Sequence, residues 1–416
     1  MNILHVTAHM GGGVGNALSS ILCEDLDNSA HVILLEEPDK LTYVNRLVDV
    51  HVNVYIKPNN EVVYNEIKWA DIVVIHWWHH PVMCKFLYEF PDIPVRLVLW
   101  SHVSGCNYPF LSFEFMNIFD LVLFTSPCSY DNPYWTKEHK EWAKKNGEIV
   151  YGLGKLSCVD IPKEYSIPRE EYKIGYSGTL NKAKLHPDFM LMCKQIIENQ
   201  PKAHFYLLGD FNEANWLDEE ANRMEISNNI HLMGYVHNVA EWLLDFDVFG
   251  YPLNVDNYAT TENAVLEAMS AGLPVVMMNQ GTEKYIVVDK VSGILANNSE
   301  EYVRAIVSLL IDPTKRKELG TNARKRIMEE YNFRNNVEKY RKCMKRVYSK
   351  KPDCKKIKQA LGNTPLEWML SATSTKDKKL ILTNNLDSLP HIFHEQNKSS
   401  LKHFGRYYPE IISNKN

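Results

Sequence analysis

Short apolar runs alternate with amphipathic stretches through the first part of the chain. The runs lie at residues 1–7, 31–35, 52–56, 72–75, 96–100 and 121–124, and the stretch 41–48 is typical of a helix. Continuous apolar runs are typical of parallel strands, because helices cover both faces of a parallel sheet. The pattern predicts an α/β domain with a mostly parallel sheet and ligands beyond the C-terminal ends of its strands.

The same alternation begins again at residue 172. Prolines and glycines interrupt the pattern between 126 and 171, which predicts a linker between two domains. Strands are then expected at 172–178, 203–208, 230–232 and 248–253, with helices at 188–199, 240–244, 318–331 and 332–348. This βαβ order brings four loops to one sheet edge: 178–184, 209–212, 235–238 and 254–263.

Residues 258–276 combine a loop, a helix, a tight turn and a buried strand. Thr261 is expected to cap the helix with its hydroxyl, and Glu262 suits the positive end of the helix dipole. Gly272 and Pro274 end the helix before the apolar strand.

The start of this helix is a candidate phosphate site, since its first amides and its dipole favour an anion. Asn263 and Glu267 lie four residues apart and share one helix face. A nucleotide with its diphosphate on the first turn could offer two ribose hydroxyls to the Glu267 carboxylate. The alternative is an ordinary amphipathic helix with Glu267 in solvent.

Glycines follow the first strand, and they include Gly12 and Gly13. Glycine lets backbone approach a phosphate or a sugar closely. The spacing does not match the dinucleotide-binding pattern, so a tight turn without a ligand remains an alternative.

Four histidines and a cysteine follow two of the strands: His76, His79, His80, His102 and Cys106. Their spacing matches no established zinc site, so we predict no metal here. A sugar-binding role fits imidazole and indole better, although Trp77 and Trp78 could simply close the sheet edge. His102 is the strongest candidate, because small polar residues surround it.

The composition of the chain excludes several functional classes. The 416 residues carry a net charge of −5, which argues against a general nucleic-acid binder. Eight cysteines without a Cys-x-x-Cys pair predict reduced thiols in a cytoplasmic protein. No secretory signal or membrane-spanning run is evident. Asp245 and Asp247 have the form of a metal-binding pair, but they directly precede a strand, and we predict a role in strand entry.

The motifs at 175–187, 234–253, 260–276 and 283–295, followed by Asp312-Pro313, resemble the retaining glycosyltransferases of family 4, with the GT-B fold. The resemblance covers residues 1–348 in layout. It implies two Rossmann-like domains that face a cleft, with the acceptor side at 1–160 and the nucleotide-sugar donor side at 170–332. A helix at 333–350 would cross back to the first domain. Residues 351–416 form an extension of unknown role, which we expect to pack on the first domain.

The resemblance also implies roles for single residues. Glu267 matches the ribose-binding glutamate and Lys184 the lysine of the diphosphate clamp. Gly12 and Gly13 match a glycine loop beside the diphosphate, and His102 matches a histidine that contacts the transferred sugar. The segment that borders the nucleobase matches Tyr235 and Val236.

Two positions depart from the family pattern. Thr179 replaces the clamp arginine, and Ala259 replaces the first glutamate, which is expected to contact the sugar. Loss of a guanidinium removes a bidentate contact to the diphosphate. We expect Glu262, with Thr260 and Thr261, to compensate at the helix start.

The expected function is transfer of a sugar from a nucleoside-diphosphate sugar to a glycan or lipid-linked acceptor, with retention and without a metal or other cofactor. His102, Lys184 and Glu262 are the expected catalytic residues, and Asn263 completes the donor site. A nucleotide-sugar epimerase or hydrolase, or a silent nucleotide-sugar or glycan-binding protein, are the alternatives.

Residues 339–358 carry ten cations against one aspartate. A polybasic stretch attracts an anionic membrane surface, which would suit a lipid-linked acceptor. The alternative is a solvated helix end followed by a linker.

Overall fold

Two parallel sheets organise the chain in a computed structural model, which describes residues 1–156, 170–209, 215–394 and 400–413. Each sheet lies in its own compact unit. The first unit contains Met1–Lys155, Tyr258–Thr261 and Phe333–Asn416, and the second contains Leu156–Asn257 and Glu262–Asn332.

The first sheet has seven strands in the order β3-β2-β1-β4-β5-β6-β7, and every recorded pair is parallel. Its strands are β1 Asn2–Thr7, β2 Ser29–Leu34, β3 Asn53–Ile56, β4 Ile72–Trp77, β5 Leu97–Ser101, β6 Leu121–Phe124 and β7 Gly147–Ile149.

The second sheet has six strands in the order β10-β9-β8-β11-β12-β13, again in parallel pairs. Its strands are β8 Tyr172–Ser177, β9 Ala203–Leu208, β10 Ile230–Gly234, β11 Val248–Tyr251, β12 Val275–Met278 and β13 Ile294–Ala296. The strand order reverses between β8 and β11. This switch point is where open parallel sheets bind their ligands.

Helices connect most of the strands in both units. Those up to the end of the second sheet are α1 Gly12–Glu24, α2 Thr42–Val48, α3 Asn60–Trp69, α4 Pro81–Tyr88, α5 Phe113–Met116, α6 Lys137–Asn146, α7 Phe189–Asn199, α8 Asn215–Arg223, α9 Val239–Asp245, α10 Asn263–Ser270 and α11 Glu283–Ile286. The remainder are α12 Ser299–Ile311, α13 Pro313–Glu330, α14 Phe333–Tyr348, α15 Ile357–Leu361, α16 Pro365–Ser371, α17 Thr375–Leu382, α18 Leu401–Tyr407 and α19 Glu410–Ser413. This architecture confirms the predicted α/β fold with two Rossmann-like domains.

The apolar runs form strands because both of their faces are covered. Every residue of β4 and of β6 is buried. Helix α14 covers one face of the first sheet with Val337, Tyr340 and Met344, whose three- and four-residue spacing forms one stripe. Each fully buried aliphatic side chain of this kind contributes about 1.5–3 kcal/mol.

The prediction of a linker from residue 126 is wrong for residues 126–156, which the structure describes. The segment after β6 contains α6 and β7, and β7 pairs with β6 inside the first unit. Glycine at 147 allows this strand to lie close to Phe124, because a Cβ there would lie 2.5 Å from its ring. The rest of the predicted linker at 157–169, and the loop at 209–212 beyond Gly209, lie outside the described residues.

The extension after α14 packs on the first unit. The Phe110 amide donates to the carbonyl of Ala372 at 2.8 Å, and His79 Nε2 lies 2.9 Å from the carbonyl oxygen of Trp368. In the described ranges no helix is both long and apolar enough to span a bilayer.

Candidate functional site

Three side chains meet at the switch point of the second sheet. Lys184 follows β8, Tyr251 ends β11, and Glu262 precedes α10. Lys184 Nζ lies 3.1 Å from Glu262 Oε2, and the Tyr251 hydroxyl donates to the same oxygen. Two of the expected catalytic residues, Lys184 and Glu262, are therefore in direct contact.

The Glu262 carboxylate is held in place. Its side chain is 12% exposed, and Lys184 Nζ also lies 5.5 Å from the centre of the Tyr251 ring. The ring of Tyr251 in turn stacks on Tyr176 at 5.1 Å. This packing fixes one cation and one anion beside the start of α10.

The prediction that Thr261 caps α10 is wrong. Glu262 is the residue before the helix, and no side-chain cap forms there within the described residues. The Thr261 hydroxyl instead donates to the Thr125 carbonyl and accepts from the Gly152 amide at 3.2 Å, all inside the first unit. It is buried and serves a structural contact there.

The neighbours of Thr261 belong to the same segment. The Ser104 amide donates to the Tyr258 carbonyl at 3.4 Å, which ties the segment to the first unit. Ala259 is buried, and Thr260 is half-buried. Thr260 and Thr261 therefore group with the first unit, although they lie inside the range 170–332 expected for the second.

Asn263 and Glu267 both lie on α10, one turn apart, as the spacing predicts. Burial raises the pKa of Glu267 to about 7. A carboxylate that has lost its water in this way is well suited to accept hydrogen bonds from ligand hydroxyls.

Sequence reasoning missed Glu283, the first residue of α11. Its side chain is 1% exposed, and neither carboxylate oxygen makes a hydrogen bond with another described residue. Burial raises its pKa to about 7, the charge of Glu262 adds to the rise, and the nearby amides of Glu283 and Thr282 oppose it. A buried carboxylate that no described cation neutralises is costly, so this position is a candidate for ligand binding.

Open space lies next to Gly281, two residues before Glu283. A Cβ built on Gly281 would have no described atom within 4 Å. The sequence signal for this site is modest: a glycine and a carboxylate directly after the apolar strand 275–278.

The other donor residues predicted in the second unit lie in loops after β8 and β10. Thr179 is exposed, and its carbonyl accepts from the Tyr176 hydroxyl at 3.1 Å. Tyr235 is 60% exposed and Val236 is half-buried. These residues follow strands of the same sheet as Lys184, and each loop begins at its C-terminal edge.

The pair Asp245 and Asp247 has the predicted structural role. Asp245 Oδ2 accepts from Lys173 Nζ at 2.7 Å, and Asp247 Oδ2 accepts from the Lys173 backbone amide at 2.9 Å. Both carboxylates thus hold the start of β8 beside β11.

In the first unit the glycines form the beginning of a helix and not a separate loop. Helix α1 begins at Gly12, which has φ +56°, and Gly13 lies in its first turn. The left-handed backbone at Gly12 favours glycine, and a Cβ there would meet no described atom within 4 Å. Both glycines follow the C-terminal end of β1, and their role beside a diphosphate stays a prediction.

His102 is the outer member of a chain of buried side chains. His102 Nε2 lies 2.9 Å from His76 Nδ1, and His76 Nε2 lies 3.0 Å from His5 Nδ1. The Tyr340 hydroxyl lies 3.1 Å from His5 Nε2. Burial lowers the pKa of His102 and of His5 to about 3 and that of His76 well below its usual value, so all three rings are neutral near pH 7.

The remaining histidines contact the C-terminal extension. His80 Nε2 lies 3.0 Å from His403 Nε2, and His79 Nε2 lies 2.9 Å from the carbonyl oxygen of Trp368. The four histidines and Cys106 therefore do not converge on one metal position. Among the described residues one other group of potential ligands is His9, Glu36 and His80.

The tautomers of this group disfavour a metal. His9 Nδ1 accepts from the Gly11 amide at 3.0 Å, and His80 Nδ1 accepts from the Val82 amide at 3.4 Å. In each neutral ring the proton then lies on Nε2, which faces Glu36 at 3.9 Å and 3.3 Å respectively. A metal would need the lone pairs of those same nitrogens.

Comparisons with known proteins agree with this architecture. Residues 160–326 match the family described as Glycosyl transferases group 1. The chain is 25% identical over 157 residues to alpha-monoglucosyldiacylglycerol synthase of Acholeplasma laidlawii, covering 38% of this chain and 39% of that protein. It is 28% identical over 125 residues to an uncharacterized glycosyltransferase of Methanocaldococcus jannaschii, covering 30% of each. The chain thus matches well under half the length of these relatives.

The similarity in fold to solved structures covers more of the chain than the sequence matches do. HepE of Anabaena in complex with UDP and glucose superposes with a TM-score of 0.65 at 17% identity, covering 83% of this chain and all of that one. At this identity the similarity concerns the fold alone. The chain has the α/β fold of these GT-B proteins, and its second unit carries the segment similar to group 1 glycosyltransferases.

Proposed function

We propose that this protein transfers a sugar from a nucleoside-diphosphate sugar to a glycan or lipid-linked acceptor, with retention of anomeric configuration. The observation that carries the proposal is the contact of Lys184 and Tyr251 with the Glu262 carboxylate at the switch point of the second sheet, directly before the helix that carries Glu267. The group 1 match and the UDP complex of HepE support a nucleotide-sugar donor.

Different residues would bind the ribose, the diphosphate, the base and the sugar of the donor. Glu267 accepts the ribose hydroxyls, and the first turn of α10 with Lys184 receives the diphosphate. Tyr235 and Val236 border the base, and Thr179 borders the diphosphate. Because Ala259 has no carboxylate, Glu283 is the residue that accepts hydroxyls of the transferred sugar.

The reaction would need no metal or other cofactor. The departing diphosphate gains negative charge in the transition state, and Lys184 with the amides at the start of α10 stabilises it. By resemblance to the family, Gly12 and Gly13 would supply backbone amides to the diphosphate. No side chain acts as nucleophile, and the protein contributes mainly position and charge.

A second candidate is a silent nucleotide-sugar or glycan-binding protein. The ion pair between Lys184 and Glu262 favours it, because Glu262 neutralises the remaining clamp cation while Thr179 supplies no charge. An epimerase or hydrolase would use the same donor site without an acceptor.

The basic segment 339–358 is a candidate membrane contact, although internal pairs occupy part of it. Lys339 pairs with Glu148 at 3.0 Å, Arg341 with Asp25 at 2.9 Å, and Lys355 with Asp120 at 2.8 Å. Among the described residues, five exposed cations of this segment form neither an ion pair nor a contact with an aromatic ring: Lys342, Lys345, Arg346, Lys351 and Lys356. We propose that these five attract an anionic surface and hold the protein at the cytoplasmic face of a membrane.

The deciding experiment is a turnover assay. The protein is screened by thermal shift against UDP-glucose, UDP-galactose, UDP-N-acetylglucosamine and GDP-mannose, because a ligand that binds the native state raises its melting temperature. The best donor is then incubated with a panel of glycan and lipid acceptors. Release of nucleoside diphosphate only with an acceptor supports transfer, whereas release without one indicates a hydrolase. Binding without any turnover favours the silent protein.

A further inference from the structure

The buried chain from Tyr340 to His102 makes one continuous row of hydrogen bonds. Each contact joins two nitrogens, or an oxygen and a nitrogen, at 2.9–3.1 Å. His5 and His76 use both of their ring nitrogens in this row. A neutral imidazole has one donor nitrogen and one acceptor nitrogen, so the direction of one bond fixes the direction of the next.

Only two arrangements of protons satisfy the row. In the first, Tyr340 donates to His5, His5 to His76, and His76 to His102 Nε2, which leaves the proton of His102 on Nδ1. In the second, every bond is reversed, and His102 Nδ1 carries a lone pair. The two arrangements give His102 opposite hydrogen-bonding character toward anything beyond Nδ1.

Tyr340 selects the first arrangement. Its side chain is fully buried, and the described residues offer its hydroxyl one hydrogen-bond partner, His5 Nε2. Burial raises the pKa of this phenol well above its usual value, so it keeps its proton. In the reversed row the phenol proton would be buried without an acceptor, which is unfavourable.

The outer end of the row reaches an accessible position. His102 is half-buried, and the Trp77 carbonyl accepts from its backbone amide at 2.8 Å, which fixes the loop after β5. Its Nδ1 makes no hydrogen bond to the described part of the chain. This nitrogen is the one position in the row available to a ligand.

We propose that Tyr340, His5 and His76 are positioning residues that fix His102 as a neutral Nδ1–H donor to an oxygen of a bound sugar. His102 then cannot act as a base at that nitrogen, because its lone pair lies on Nε2 and accepts from His76. The ligand atom that fits is an oxygen that can accept a hydrogen bond, and a sugar hydroxyl is one. The ligand part of this inference rests on the proposed function, whereas the tautomer does not.

The direct test is nitrogen NMR of the ligand-free protein labelled with 15N-histidine. The His102 signals are assigned by their loss in His102→Gln. We expect the shift of a protonated nitrogen at Nδ1 and of an unprotonated nitrogen at Nε2. The opposite tautomer in the wild-type protein overturns the proposal. The tautomer is read from the wild-type protein, and the unchanged signals of the other histidines show that the variant used for assignment is folded.

Tyr340→Phe tests the role of the phenol. Without this hydroxyl, nothing selects the direction of the hydrogen bonds in the row, so we expect a mixture of His102 tautomers. With UDP-glucose or the donor chosen by the screen, we expect kcat/KM to fall about tenfold. Tyr108→Phe is the matched control, since Tyr108 is equally buried in the same unit and its hydroxyl lies 3.5 Å from His79 Nδ1, outside the row. An unchanged His102 tautomer in folded Tyr340→Phe refutes the positioning role.

Failure of the proposed function gives a different result. If the proton lies on Nδ1 but no nucleotide sugar binds or turns over, the row stands and the sugar-transfer proposal falls. If donors turn over but the proton lies on Nε2, the positioning proposal alone falls.

Discussion

Lys184 Nζ lies 3.1 Å from Glu262 Oε2, at the place where the diphosphate of a donor is expected. The cation that would bind phosphate is thus already paired with a carboxylate. Removal of one partner from a half-buried ion pair costs free energy, because the other charge is left unpaired. A diphosphate could take the place of the Glu262 carboxylate and keep Lys184 paired. If the proposed donor site is correct, the strength of this ion pair sets part of the affinity for a nucleotide.

Glu262→Gln should strengthen binding of a nucleoside diphosphate, because it releases Lys184 while it keeps an oxygen that accepts from Tyr251. We expect an about three- to tenfold lower Kd for UDP by calorimetry, equal to about 0.7–1.4 kcal/mol. Lys184→Ala is the companion variant and should weaken UDP binding. Weaker binding by Glu262→Gln would show that Glu262 does not compete for the lysine.

Glu267→Ala should weaken binding of the donor more than Glu262→Ala does. Glu267 is expected to accept two ribose hydroxyls, and loss of hydrogen bonds to a charged group costs about 1.5–3 kcal/mol each. Kd values for UDP and for the selected UDP-sugar measure the effect. Affinities for both close to that of the wild-type protein would refute the ribose assignment.

Glu283→Gln should raise stability above neutral pH. The folded pKa of Glu283 is about 7, above that of an exposed glutamate, so the native state binds more protons than the unfolded state between these values. The free energy of unfolding therefore falls as pH rises from about 4 to about 8. We expect the variant to be more stable by about 1–3 kcal/mol at pH 8, with little difference near pH 4.

Melting temperatures at the two pH values test this, with Glu318→Gln as control, since Glu318 is exposed in the same unit. The same Glu283 variant should lose most of the affinity difference between the donor sugar nucleotide and its free nucleoside diphosphate. A variant that is less stable at pH 8, yet binds the sugar nucleotide normally, would contradict both expectations.

Charge reversal of Lys342, Lys345 and Lys351 should reduce co-sedimentation with anionic vesicles. Each basic residue near such a surface contributes about 1 kcal/mol, so three reversals should lower the partition coefficient by at least about a hundredfold at low salt. Reversal of Lys137, Lys144 and Lys145 on α6 is the control, because these lysines are exposed in the same unit but lie outside the basic segment. Equal binding of both variants would rule out the membrane contact.

The apolar pattern was sufficient for most of the fold. It predicted the parallel strands of both sheets except β7 and β13, and the observed limits of β6 and β9 equal the predicted ones. It failed between 126 and 156, where glycines and prolines suggested a linker but α6 and β7 complete the first unit. A glycine in a turn and a glycine that lets a strand approach Phe124 look alike in a sequence.

The sequence by itself determined most of the elements, including helix α10, because the periodicity of apolar residues acts over a few residues. Spacing placed Asn263 and Glu267 on one face of α10, and βαβ order brought Lys184 and Glu262 to one edge. Only the tertiary structure decided which side chains pair. The Tyr340 hydroxyl forms a hydrogen bond with His5, 335 residues away in the sequence. The Thr261 hydroxyl donates to the carbonyl of Thr125, 136 residues away, and does not cap α10. The burial of Glu283 and the direction of the hydrogen bonds in the histidine row depend on residues that are distant in the sequence. A pattern of neighbouring residues therefore cannot predict them.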